Sequence, residues 1–207
     1  MTANTRRKHR ENTMRLTITH AAAALLVLIP SRTATELFVQ PESKLWVEGT
    51  STIKSFTCKV PEFALKVSGD AGTVTAVLSA RKAVKTVELT LASAKIDCGG
   101  GTMNDHMKEA VKAEAAPTIK FTLVGYDVAK DSVGVEGTLH GSLVLGGTEH
   151  PIDINAVATD AGNGTLRVVG GYELALSAFD LKRPSLMFGR IKVGDKVQVK
   201  FDLLLKN

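Results

Sequence analysis

The run Lys196–Leu205, near the C-terminal Asn, places Val197, Val199, Phe201, Leu203 and Leu205 at every second position. That period puts five apolar side chains on one face of an extended strand about 30 Å long, with polar partners between most of them. A strand this long, greasy on one side only, cannot stand alone. The same pattern recurs upstream in Leu45–Thr50, Ile53–Val60, Phe63–Val67, Thr73–Ala80, Val84–Leu91, Thr118–Val128, Val135–Leu145, Pro151–Thr159 and Leu166–Ala178. Short Gly-, Asp- and Ser-containing reversals separate the runs, and Gly146-Gly147-Thr148-Glu149 marks a hairpin. No βαβ rhythm or fixed-period repeat interrupts them. Closure removes the exposed edges of such a sheet, so the pattern predicts an all-β fold: an antiparallel up-and-down β-barrel of about eight strands.

One segment departs from period 2. In Thr102–Phe121, Met103, Met107, Ala110 and Val111 share one helical stripe, which predicts a short helix over about 103–115. Thr102 and Asp105 resemble a capping box, and Pro117 is read as the stop before Ile119, Phe121 and Leu123 resume the strand pattern. The helix is read as a lid or side-plug on the barrel.

The formal charge of +5 suggests a polyanionic partner until its distribution is considered. Residues 1–34 hold six of the 26 basic residues and one of the 21 acidic ones, leaving 20 of each from Thr35 onward. With no basic block interleaved with aromatics in that neutral part, nucleic acid is not expected as a partner. The basic start, the apolar run Ala21–Ile29 and the small residues after Pro30 read as a secretory leader over 1–34, with Met1 or Met14 as the start. Nine apolar residues fall short of the roughly 20 needed to cross a bilayer, so no stable membrane span is expected. The expected location is periplasmic or secreted, with a single domain over 35–207. In an oxidising compartment Cys58 and Cys98 are read first as a disulfide, and two buried free thiols are the alternative. Neither has ligand-spaced partners, so no metal site is expected.

What fills the barrel decides what it does. The inward faces read Val135, Gly137, Leu139, Gly141, Leu143, Leu145 and Leu166, Val168, Gly170, Tyr172, Leu174, Leu176, Ala178, with Ile152, Ile154, Ala156 and Ala158 beside them. Small residues recur where a sealed core carries bulk, which favours an apolar internal cavity over a solid interior. Catalytic patterns are weak. His106, His140 and His150 lack paired nucleophiles or metal spacing, and no nucleophile elbow or phosphate loop is present, so no catalytic residue is assigned. All three histidines are read first as surface residues, with the cavity mouth as the alternative for His106. Lys182-Arg183-Pro184 forms a basic loop, read as solvated by default and as a contact for an amphiphile's headgroup otherwise.

Several motifs together resemble the YceI-like family. Trp46-Val47-Glu48-Gly49-Thr50-Ser51-Thr52-Ile53 with Phe56 is similar to the family's opening strand pair. Met103-Asn104 running to Pro117-Thr118-Ile119-Lys120-Phe121 is similar to its helix and following strand. Gly141-Ser142-Leu143 with His150-Pro151-Ile152, and Val193-Gly194-Asp195-Lys196-Val197, complete the match. Leu176-Ser177-Ala178-Phe179-Asp180 keeps only Ser177 and Phe179 of the family's R-S-D-F-G, and Gly146 stands where a histidine is frequent.

The resemblance implies an exported lipocalin-like barrel that takes a polyisoprenoid or isoprenoid quinone as ligand and needs no other cofactor. On strand parity and helix phase, Leu123, Leu139, Leu143, Ile154, Leu174 and Phe201 are expected to line the tunnel, and Met103, Met107 and Phe121 to gate it. The expected role is lipid transport, storage or sequestration, with a homodimer left open. The alternatives are a ligand-free protein-interaction module and an isoprenoid-modifying enzyme using His106 or Asp105.

Overall fold

The computed structural model describes residues 1–2, 34–186 and 190–207. The expected leader falls almost wholly outside them. From Thr35 the chain forms β1 (Thr35–Val39), β2 (Lys44–Thr50), β3 (Ser55–Lys59), β4 (Ala64–Gly69), helix α1 (Thr73–Leu78), β5 (Val84–Ala92) and helix α2 (Gly101–Ala110). It continues through β6 (Thr118–Lys130), β7 (Val135–Leu145), β8 (Thr148–Asp160), β9 (Thr165–Ala175), β10 (Ser185–Leu186), β11 (Ile191–Lys192) and β12 (Lys196–Lys206).

β1 and β2 lie end to end along β12, with Val39 opposite Leu205 and Leu45 opposite Phe201. β3 and β4 lie end to end against β2 and β1 in the same way. Each pair is thus one long strand broken once, at Pro41 and at Pro61, residues that cannot donate to a ladder. Counted so, eight strands pair antiparallel in chain order, and β1 on β12 closes the ring. The expected up-and-down barrel is the fold. The β7–β8 hairpin turns on Gly146 and Gly147, at φ 58° and 84°, values that suit glycine and match the twist of the flanking strands.

Four expectations need correction. Thr73–Ala80 is not a strand, because Thr73–Leu78 forms α1. Its β-branched residues favour extended backbone, yet Thr73, Val74, Ala76 and Val77 are buried together, a spacing that a helix satisfies and a strand does not. Gly72 at φ 74° starts the turn, and the Thr73 hydroxyl donates to the Asp70 carbonyl. The described residues therefore contain two α-helices, not one.

The predicted helix over 103–115 runs from Gly101 to Ala110 instead. Gly100 is its N-cap, without a side-chain cap from Thr102, and Asp105 pairs with Lys108. Lys112, at φ 55°, ends the helix well before Pro117. The run predicted as Leu166–Ala178 leaves the sheet at Ala175 and becomes a 3-10 turn over Leu176–Phe179, fastened by Asp195, which accepts from the Ser177 amide (3.0 Å) and hydroxyl (2.7 Å). Finally, β1 precedes the first strand read from the sequence.

Candidate functional site

Inward-facing side chains do not fill the barrel. They enclose two apolar chambers of about 200 and 160 Å³. Leu45, Leu89, Leu143 and Val199 border both, so the chambers abut at a waist formed by β2, β5, β7 and β12. The inner chamber reaches α1, which contributes Val77 and packs across to β8 and β9, covering that end. The outer chamber is walled by α2 through Met103, His106, Met107 and Ala110, and by Pro184, Ile191 and Val193 of the β10–β11 segment.

The residues expected in the wall divide between the chambers. Leu123, Leu139, Ile154 and Phe201 line the inner one, Leu174 the outer, and Leu143 both. The three expected gate residues are not brought together. Met103 and Met107 line the outer chamber, whereas Phe121 lies beyond the waist in the inner chamber.

Phe121 sits there because Gly141, on the neighbouring strand, leaves room for its ring. A Cβ at Gly141 would run into that ring, and the same holds for Gly170 under Phe201 and for Gly49 under Phe56. Glycines read as empty volume are thus partly seats for aromatic rings. Gly137, Ala156 and Ala158, which line the inner chamber without such a ring, keep the role expected of them.

Sequence reasoning missed Tyr126 and Val128 as wall residues. A bulge between Leu123 and Gly125 turns Val124 outward, 80% exposed, and moves the inward set from odd to even positions. The Tyr126 hydroxyl accepts the Val84 amide at 3.0 Å, which ties β6 to the start of β5. Val77 was missed because α1 was read as a strand.

The polar groups are few. Tyr172 faces the inner chamber, where burial first and Asp153 second raise its pKa and keep it a neutral phenol. His106 is half-buried and is the sole ionisable side chain of the outer chamber's wall, not the surface histidine expected. Asp105 points away, exposed and 3.3 Å from Lys108, so the two residues of the enzymatic alternative do not converge. His140 does lie outside the barrel, bonded to Asp153 at 2.7 Å and Asp127 at 3.2 Å, and these carboxylates hold its pKa above the usual value. His150 is also exposed, bonded to the Pro151 carbonyl at 2.8 Å.

Cys58 on β3 and Cys98 are disulfide-bonded, which removes the free-thiol alternative. The bond anchors the approach to α2 on the barrel wall. Asn104 reinforces it, accepting the Cys98 amide at 2.7 Å and donating to Asp97 at 3.1 Å. Asp97 also accepts the Gly99 amide, and these bonds hold its pKa low. No helix among the described residues is long and apolar enough to cross a membrane.

A family model described as YceI-like domain matches residues 41–205. No curated protein sequence matches the chain. Among solved structures, BcnA of Burkholderia cenocepacia superposes with a TM-score of 0.63 at 19% identity, covering 81% of this chain and 99% of that one. A polyisoprenoid binding domain from Saccharophagus degradans, implicated in plant cell wall breakdown, gives 0.57 at 13% identity, covering 83% and 97%. The Campylobacter jejuni YCEI protein gives 0.56 at 14% identity, covering 71% and 82%. At these identities the likeness is one of fold.

Proposed function

We propose, from the premise that the chain belongs to the YceI-like domain family, that its barrel holds the hydrocarbon chain of an isoprenoid lipid and carries or stores it outside the cytoplasm. The observation that supports this most is the pair of abutting chambers whose walls are apolar apart from Tyr126, Tyr172 and His106. Such walls offer water too few of the two to four polar partners it needs, so the space suits an apolar guest. Each CH₂ withdrawn from water contributes about 0.8 kcal/mol, so a long tail binds without a charged anchor. The two chambers together sit near the lower end of the roughly 300–1,000 Å³ of ligand pockets, which favours one slender chain over a bulky ring system. The polyisoprenoid binding domain from Saccharophagus degradans, with the same fold, is a parallel.

A headgroup, a quinone ring included, would remain at the α2 end, where His106 is the available hydrogen-bonding side chain. The leader pattern of residues 1–34 and the disulfide fit an exported protein.

The test is organic extraction of freshly purified protein followed by mass spectrometry, together with uptake of a fluorescent prenyl probe. A co-purified prenyl compound is expected, and Leu143→Trp, which adds an indole at the waist, should abolish probe uptake. A protein that comes out empty and ignores prenyl probes refutes the proposal. If His106 holds a headgroup, His106→Ala should weaken a prenol or quinone by a few-fold while leaving a headless prenyl hydrocarbon unaffected.

A further inference from the structure

The rim of the outer chamber is chemically lopsided. On its α2 side charge is balanced, with Asp105 and Glu109 set against Lys108 and Lys112. On the opposite side two stretches meet, residues 50–54 and 181–194, the second described at 181–186 and 190–194. Thr52 donates its amide to the Lys192 carbonyl at 3.1 Å, and its hydroxyl donates to the Arg190 carbonyl at 3.3 Å. Ser51 bridges to Val193, and the Gly194 amide donates to Thr50 at 2.8 Å. The β2–β3 turn and the β10–β11 segment therefore form one surface.

That surface carries Lys54, Lys182, Arg183, Arg190 and Lys192, all exposed, and neither stretch contains an acidic residue. None of the five has an ion-pair partner among the described residues. Asp195, just past the second stretch, is hydrogen-bonded by Ser177 and lies close enough to Arg183 to feel its charge. In a part of the chain that is neutral as a whole, five cations in 19 residues, with Asp195 beside one of them, are a local excess.

Two further features narrow the partner. Ile53 stands 66% exposed at the tip of the β2–β3 turn, where the Ser51 hydroxyl oxygen accepts both the Ile53 and Lys54 amides and so fixes the tip. The same segment that carries Arg190 and Lys192 outward sends Ile191 and Val193 into the wall of the outer chamber. Cationic side chains around an exposed aliphatic, continuous with the mouth of an oily cavity, match an interface of anionic headgroups over acyl chains. A nucleic acid would match the charge but not the exposed aliphatic tip.

We propose that this rim seats the barrel, mouth down, on an anionic lipid bilayer. The proposal rests on the lipid-holding function for its purpose, since a tail passing between bilayer and chamber then avoids crossing water.

Flotation of the full exported chain with vesicles tests it, comparing pure phosphatidylcholine with vesicles containing about 30% phosphatidylglycerol. The protein should float with the anionic vesicles and not the neutral ones, and should be released as salt rises from about 0.05 to about 0.5 M. The triple variant Lys54→Ser/Arg190→Ser/Lys192→Ser should lose about a hundredfold in partitioning. Ile53→Ser should lose several-fold, a loss that does not depend on salt. Uptake of a dansylated farnesyl probe without vesicles should be unchanged in the triple variant, which also checks that it is folded. Equal binding to both vesicle types, full binding by the triple variant, or equal competition by an oligonucleotide overturns the docking surface. Vesicle binding without probe uptake by the wild-type protein overturns the lipid-holding function instead, so the two failures are distinguishable.

Discussion

Phe121 and Gly141 set the shape of the inner chamber at the scale of single residues. The ring lies over the glycine, 5% exposed, and any side chain at 141 must push it into the lumen. Gly141→Ala should therefore destabilise by about 1–3 kcal/mol through overpacking, and it should also reduce prenyl uptake. Gly125→Ala, where a Cβ meets nothing within 4 Å, should stay within about 0.5 kcal/mol of wild type. Denaturant melts of the two variants side by side check the contrast, and equal losses would show that the ring has room to move. Parity along the strands was enough to place Leu123, Leu139 and Ile154 inside. It could not separate a glycine that leaves space, such as Gly137, from one that seats a ring, because that depends on a partner across the strands. Nor could it register the bulge at Val124, which needs one extra residue on one strand and no change of composition.

Among the elements, α2 is the one whose position is made by covalent chemistry. Its ten residues are too few for a stable isolated helix, and among them only Ala110 is buried. The Cys58–Cys98 bond, spanning 40 residues, supplies what packing does not. On the chain-entropy account the double variant Cys58→Ser/Cys98→Ser should lose about 3–4 kcal/mol of stability. Amide exchange should rise most in α2 and at Lys59 and Asp97, whose backbones pair at 2.7 and 2.8 Å beside the bond. Protection unchanged in α2 would mean that its packing suffices. The stripe Met103, Met107, Ala110, Val111 made this helix legible, because its period contrasts with everything around it. Helix α1 was illegible for the opposite reason: T-V-T-A-V-L has the composition of a strand, and only the barrel end that it covers selects the helix. The end of α2 depends on Lys112 adopting a left-handed conformation, which a lysine does not announce.

For the molecule as a whole, the charged outer wall responds to pH in two opposite senses. Asp127 and Asp153 raise the pKa of His140 above its ordinary value of about 6.5. Its contribution is therefore complete below that value and lost as pH rises through the higher folded value. Asp195 runs the other way. Ser177 lowers its pKa, so its contribution is complete above the ordinary carboxylate range and lost as pH falls through the lower folded value. The stability gap between wild type and His140→Gln should narrow from about pH 5.5 to about pH 8.5, and that between wild type and Asp195→Asn should narrow on acidification below about pH 4. Titration melts check both, and a gap that widens in either direction contradicts the assignment. The eight-stranded closure was readable from the regular recurrence of one-sided strands. The chambers were readable only as a tendency, since their volume follows from how Phe121, Phe201 and the waist residues meet in three dimensions.

The waist of Leu45, Leu89, Leu143 and Val199, with α1 across the far end, makes the barrel a blind sleeve with a throttle halfway down. On the proposed function, a guest entering from the α2 end would go in tail first and back out along the same route, its head trailing at the opening. Delivery would then be a matter of where the sleeve is pointed when the guest withdraws, and a tail that passes the throttle should leave far more slowly than one that stops short of it.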